Sequence, residues 1–292
     1  MRTLLLCILA TILALPAYAA EILIIQSHRT TQLDQATRLF QNNCAPKHLT
    51  YVMGDYAEFD LGRIVREEQP RVVMAIGDNS LKEAQKLRGV KVLYSMALSI
   101  DEKKLRDNIT GVTLHAAPEQ YMKLFRKLGL HRVGVIYSSA KSGPYMERAR
   151  KIASGYGVEL VAVRVDAPTE TASALSGLKR KNIDSIWMIP DTTAVTAETL
   201  PSFFSQSQNE KIPLITFSRN YLEKGAMAAL EASRRKMTDQ LCGSLKGLLS
   251  GSDPGDIPIT DINAATLYTN EVVAGRVGIS LSGLDTLFKT EW

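Results

Sequence analysis

The stretch Ile183-Asp184-Ser185-Ile186-Trp187-Met188-Ile189-Pro190-Asp191-Thr192-Thr193-Ala194-Val195-Thr196-Ala197-Glu198-Thr199-Leu200 decides how the chain is read. The run Ile186–Ile189 is short and wholly apolar, as in a strand covered on both faces of a sheet. Pro190 ends the run, because it has no N–H to give a ladder. Asp191, Thr192 and Thr193 make a polar turn. A helix is predicted beyond it, with Thr196 and Glu198 near its start and Leu200 on its apolar face. In open parallel α/β sheets, ligands bind outside the carboxyl ends of the strands, where this turn would lie. Thr192 or Thr193 could equally cap the helix, and the local sequence leaves both readings open.

The same alternation extends in both directions. Upstream, strands are predicted at 21–27, 48–53, 71–76, 90–95 and 109–114, with helices at 31–43, 61–68 and from Ser80 to Leu87. The pattern then restarts with a helix at 118–128 and a strand at 132–137. A polar segment, Ser138–Pro144, leads to a helix at 145–155. A strand at 158–165 and a helix at 170–180 lead into the quoted stretch. Beyond it come a strand at 212–217, an extended segment at 225–230, a long amphipathic helix at 235–249, short extended pieces and a last helix at 270–277. Two successive sets of alternating strands and helices argue for two doubly wound parallel-sheet domains. Gly155-Tyr156-Gly157 carries two of three dinucleotide-binding glycines but falls between helix and strand, the wrong junction, and reads as a helix stop. No phosphate-binding loop, His-Glu-x-x-His or nucleophile-elbow motif occurs.

The composition is globular: 292 residues, 45% hydrophobic and 22% charged, with a net charge of +5. The basic residues cluster only at Lys179–Lys181 and Arg234–Lys236, without interleaved aromatics, so nucleic-acid binding is not expected. Residues 1–20 read as a cleaved secretory signal. Arg2 supplies the positive start, Leu4–Leu15 is apolar but for Thr11, and Ala17-Tyr18-Ala19 offers small residues to a peptidase. That run is too short for a membrane span, so an exported, periplasmic protein is expected, with cleavage near Ala19 or Ala20. Two cysteines survive processing, Cys44 and Cys242, and the four histidines are scattered. Neither pattern has metal-ligand spacing, so no metal and no cofactor is expected.

Several segments carry a resemblance in order and spacing: Gly111-Val112-Thr113, Arg132–Tyr137, Ile189-Pro190-Asp191, Lys211–Ser218, Lys224–Leu230 and Gly251 after the long helix. The chain resembles the periplasmic substrate-binding proteins of ABC transporters, in the subgroup that includes binders of aromatic amino acids, over about residues 21–285. That resemblance implies the type I periplasmic-binding fold: two flavodoxin-like lobes joined by three crossovers and closing on a ligand. The crossovers would lie near Thr113–His115, Glu231–Ser233 and Thr260–Asn263. The amino-terminal lobe would be 21–113 plus 232–261, and the carboxy-terminal lobe 114–231 plus 262–292. The turns implied to face the cleft hold Ser27, His28, Asn79, Ser80 and Ser95 on one lobe. On the other they hold Ser138, Ser139, Asp191, Thr192 and Ser218, with Tyr137 a stacking platform or a core residue. Amino-acid binders of the family carry an acid within a Pro-x-Asp-Asn turn. Here the turn is Pro190-Asp191-Thr192-Thr193, with the acid one position earlier, and Asp191 is the candidate partner for a ligand ammonium. In such a lobe the first helix and the long returning helix share a sheet face. Cys44 and Cys242 would then sit at similar depth and form a disulfide, or else remain two buried thiols.

The expected function is a non-enzymatic solute receptor, a monomer that delivers a small polar, amino-acid-like ligand to an inner-membrane ABC permease. Two alternatives stand beside it. One is the same fold used as a sensor subunit docking on a membrane receptor. The other is an exported hydrolase using Ser27, His28 and Asp78, which is disfavoured because adjacent residues of an extended segment face opposite ways.

Overall fold

A computed structural model of the chain describes residues 21–45, 47–98, 100–285 and 289–291; the predicted signal peptide lies outside the described residues. The first half runs β1 (Ile22–Gln26), α1 (Thr31–Cys44), β2 (His48–Val52), α2 (Leu61–Glu68), β3 (Val72–Ile76), α3 (Asp78–Ala84), β4 (Lys91–Ser95) and β5 (Ile109–Ala116). The second runs α4 (Pro118–Lys127), β6 (Arg132–Tyr137), α5 (Ser139–Ala153), β7 (Glu159–Arg164), α6 (Thr171–Lys179), β8 (Ser185–Trp187), α7 (Leu200–Glu210), β9 (Leu214–Thr216) and β10 (Ala228–Ala232). The chain closes with α8 (Arg234–Leu249), β11 (Thr260–Ile262), β12 (Ala265–Thr269), α9 (Glu271–Val277) and β13 (Lys289–Glu291).

These strands form two sheets, ordered β11-β5-β4-β3-β1-β2 and β13-β12-β10-β9-β8-β6-β7. Within each, the first five strands in sequence pair in parallel and take the order 2-1-3-4-5. This is the flavodoxin-like order, and it occurs once per lobe. The chain passes between sheets after β5, after β10 and after β11. β11 adds to the first sheet parallel to β5, whereas β12 adds to the second antiparallel to β10.

Alternation along the strands builds a core on each face. In the first lobe Ile22, Ile24, Val72 and Met74 pack beneath α1 and α8, while Leu23, Ile25, Val73 and Ala75 pack beneath α2 and α3. Burial on both faces explains why β1 and β3 are apolar throughout. In the second lobe Trp187 is fully buried among Tyr121, Phe125 and Tyr145. Gly111 is required by close approach: a Cβ there would lie 2.4 Å from the Tyr94 carbonyl oxygen on the neighbouring strand.

Two helix starts differ from the sequence reading. α5 begins at Ser139 rather than Tyr145 and carries Pro144 inside it. Its first turn is set by backbone bonds from Lys141 and Ser142 to the Ser138 carbonyl, so the Gly143-Pro144 pair does not delay the helix. α7 begins at Leu200, later than expected, with Pro201 in its first turn. Proline favours that position because its missing N–H would have no partner there. Residues 191–199 are instead a looped connection, closed by the Thr199 hydroxyl on the Ala194 carbonyl at 2.8 Å.

Cys44, at the end of α1, and Cys242, midway along α8, are joined by a disulfide with Cα atoms 5.1 Å apart. The bond ties the first and last helices of one lobe across 198 residues. Constraining the unfolded chain in this way typically contributes about 2–4 kcal/mol. Reduction is expected to lower the unfolding free energy by that order, read as a lower urea midpoint. Thiol titration of the unreduced, unfolded chain lacking residues 1–20 should find no free thiol, and two free thiols would reject the bridge.

Candidate functional site

The carboxyl ends of the two sheets and the crossover strands enclose a cavity of about 240 Å³. Met96, Leu98 and Met237 line it from the first lobe, Pro190 and Phe217 from the second, and Leu114, Ala116, Leu230 and Ile262 from the crossovers. Its polar contributors are Gln32, Glu231 and Arg234. A more open hollow next to it is lined by His28, Asp78 and Asn79 and shares Gln32 and Met96 with the cavity. Two further hollows each lie within a single lobe, one around Arg29 and Arg38 and one around Lys211 and Arg276, and neither involves a crossover. The cavity between the lobes is smaller than the roughly 300–1,000 Å³ of drug-sized sites, so it suits a small ligand.

Met96 adopts φ of +58°, a left-handed backbone that an L residue rarely takes. It follows β4 and lines both the cavity and the open hollow.

The sequence candidates divide sharply. His28 and Asn79 are exposed and line the open hollow. Ser27 and Ser80 are buried and serve each other: the Ser80 N–H donates to Ser27 Oγ at 2.9 Å, and Ser80 Oγ donates to the Gly77 carbonyl at 2.9 Å. Gly77 must be glycine, with φ of +98° and no room for a Cβ beside Ser27 Oγ. The Ser27 hydroxyl is therefore spent on the scaffold, which removes the footing of a Ser27 nucleophile. Ser95 is buried, with its hydroxyl 3.2 Å from Met237 Sδ. Tyr137 is a core residue rather than a stacking platform. Its ring lies under the Arg150 guanidinium, which also donates to its hydroxyl at 3.1 Å. Ser139 and Thr192 are exposed at their turns, and Ser218 caps a short turn through the Asn220 N–H.

Asp191 is the clearest change of role. It is 2% exposed, and its carboxylate accepts three backbone N–H groups: Ser138 at 2.7 Å, Thr193 at 2.9 Å and Ala194 at 2.8 Å. These bonds tie the end of β6 to the turn after β8. An ammonium partner is not the role this geometry gives it. Ser138 enters the same tie through its backbone rather than its hydroxyl.

The acid that does line the cavity is Glu231, on β10. Its Oε2 is buried with no hydrogen-bond partner, and Arg219 Nε stands 3.8 Å away. Arg219 itself lies over the Tyr268 ring, 5.3 Å from its centre. Sequence reasoning placed Glu231 in a crossover but gave it no chemistry. The one local signal was a carboxylate directly following the apolar run Ala226–Leu230.

A cleft between two flavodoxin-like lobes, reached by three crossovers, defines a two-lobed ligand-binding protein. The sequence model of ABC transporter substrate binding proteins matches residues 65–286, and the chain belongs to that family. A tyrosine-binding protein of Clostridioides difficile is 23% identical over 168 residues, 56% of this chain and 48% of that protein. The chain thus matches about half the length of that curated relative. Among solved structures, an ABC domain from Streptococcus pneumonia in complex with L-Trp superposes with a TM-score of 0.60 at 20% identity, covering 92% of this chain and 97% of that one. A ligand-free, open substrate-binding protein with adhesive properties from Clostridium difficile gives 0.62 at 18% identity, covering 92% and 98%. At these identities the structures show the shared fold.

Among the described residues no cluster of His, Cys, Asp and Glu could hold a metal, and no helix is long and apolar enough to cross a membrane.

Two outcomes test this placement. Asp191→Ala would leave three donors unsatisfied, two of them buried. It is expected to cost about 3 kcal/mol or more, read as a lower urea midpoint, and an unchanged midpoint would contradict the tie. The second concerns His115, buried on β5 and stacked on Tyr145 at 4.3 Å. Burial pushes its pKa below the usual value. The unfolded chain therefore binds a proton below about pH 6.5 that the fold resists. Stability should fall as pH drops below that point and level off above it. His115→Phe, which keeps a stacking ring, should flatten this part of the profile between about pH 5 and 6.5.

Proposed function

We propose that this protein is an extracytoplasmic receptor that closes its two lobes on a small amino compound with an apolar body, such as an aromatic amino acid, and presents it to an inner-membrane ABC permease. The observation that carries the proposal is Glu231, the one carboxylate of a mostly apolar cavity between the lobes whose other polar side chains are Gln32 and Arg234. The ligand's cationic group would meet Glu231, and its body would lie against Met96, Leu98, Phe217 and Met237. Excluding water as the lobes close strengthens such a pair. The names of the tyrosine-binding relative and the L-Trp complex favour the same ligand class. The predicted signal segment and the disulfide both fit an oxidising compartment outside the cytoplasm. Lobe boundaries near 113/114, 231/232 and 261/262 follow from the same reading, and binding without catalysis, by a monomer, completes it.

A thermal-shift screen of aromatic and aliphatic amino acids, each paired with its deaminated and its decarboxylated analogue, comes first. Ligands that keep the amine should raise the melting temperature, and deaminated analogues should not. Calorimetry of the best hit then compares wild type with Glu231→Gln. The Glu231 side chain is 37% exposed, so the loss is expected to be about 10- to 100-fold in Kd rather than the larger cost of a wholly buried pair. Equal affinities would remove Glu231 from the site. Amino-terminal sequencing of exported protein should begin at Ala20 or Glu21, and a start at Met1 would overturn the extracytoplasmic assignment.

A further inference from the structure

The crossover strands have a second face. On β5, Leu114 and Ala116 line the cavity, while Thr113 and His115 between and before them point the other way. On β11, Ile262 lines the cavity and Asp261 points the other way. The opposite face is filled by charge. Arg148, on α5 of the second lobe, reaches two carboxylates of the first. Its Nε and Nη2 donate to Asp261 at 2.7 and 2.8 Å, and its Nη1 and Nη2 donate to Glu102 at 2.9 and 3.3 Å. Glu102 belongs to the short turn after β4. Thr113 Oγ1 donates to Asp261 at 2.7 Å, and the Tyr145 hydroxyl, one turn before Arg148, donates to the Ala116 carbonyl at 2.9 Å. Side-chain exposures are 31% for Arg148, 16% for Glu102 and 5% for Asp261. Arg148 therefore makes two-pronged contact with both carboxylates in a partly buried site, the geometry in which guanidinium–carboxylate pairs are strong and directional.

We propose that the Arg148–Glu102–Asp261 cluster is an ionic clasp behind the hinge, which sets the angle between the two lobes and through it the affinity of the cavity on the other face of the same strands. At Thr113–Ala116 and Asp261–Ile262 the crossover strands meet the clasp on one face and the cavity on the other. A change in how the clasp holds them moves the cavity walls directly. A second pair between the same elements, Lys103 with Glu147 at 2.6 Å, is 62% and 53% exposed. Exposed pairs of this kind contribute little, so it serves as a control and not as part of the clasp.

The clasp does not depend on the identity of the ligand, and its test uses none. Spin labels are placed on the mature protein through Lys82→Cys on α3 and Glu223→Cys beside β10, both at exposed positions on different lobes. Distances are measured by pulsed electron resonance without ligand. Arg148→Gln and Glu102→Gln are expected to shift or broaden the interlobe distance distribution, and Lys103→Ala to leave it as in the wild type. Circular dichroism checks folding. If Arg148→Gln fails to fold, Glu102→Gln, which keeps shape and loses only charge, decides alone. An unchanged distribution in the folded variants, even with a lowered melting temperature, would reduce the cluster to a stabilising contact and overturn the proposal. An equal shift from Lys103→Ala would overturn it as well. A negative ligand screen with a positive distance result would count against the proposed ligand and leave the clasp standing.

Discussion

Both lobes rest on parallel sheets covered on each face by helices, and that burial constrains everything else in the molecule. A parallel strand with apolar neighbours above and below has no side-chain position left for chemistry. The residues of β1, β3 and β8 are buried throughout. Polar groups are driven to the carboxyl ends, where the strands run out and the helices begin. Joining the two sheets by strands that leave one lobe and enter the other sets those ends facing a common space.

Most of the polar side chains gathered at these ends hold the scaffold rather than a ligand. Asp191 accepts three backbone N–H groups and fastens two strand ends together. Ser27 and Ser80 do the same between β1 and α3. Strand ends and helix starts carry backbone donors that the ladders no longer use, and a buried donor without a partner is costly. Short hydroxyl and carboxyl side chains are the nearest acceptors. The surface left for a ligand is made mostly by methionines, leucines and Phe217, with Glu231, Arg234 and Gln32 as its polar side chains.

The crossover strands do two jobs because a strand has two faces. Alternate residues of β5 and β11 build the cavity floor on one side and meet Arg148 and its partners, or Tyr145, on the other. Neither β5 nor β11 reads as unusual in sequence, where Thr113-Leu114-His115-Ala116 is simply the end of a strand.

The sequence by itself determined the architecture. Apolar runs such as Ile22–Ile25 and Ile186–Ile189, each followed by a polar turn and a helical pattern, are local signals, and two sets of them imply two doubly wound sheets. Which turns face the cleft came from the family resemblance rather than from any local pattern. Helix starts were less legible. Pro144 reads as a breaker yet lies inside α5, and Pro201 sets the start of α7 beyond where Thr196 suggested. Only the tertiary structure decided which polar residues are spent and which are open. Asp191 and Glu231 are both carboxylates beside apolar strands in the sequence. One accepts two N–H groups of its own turn and a third from a turn 53 residues away in the chain, and the other faces a cavity assembled from both lobes. That difference is long-range geometry and desolvation, which no local pattern of residues encodes.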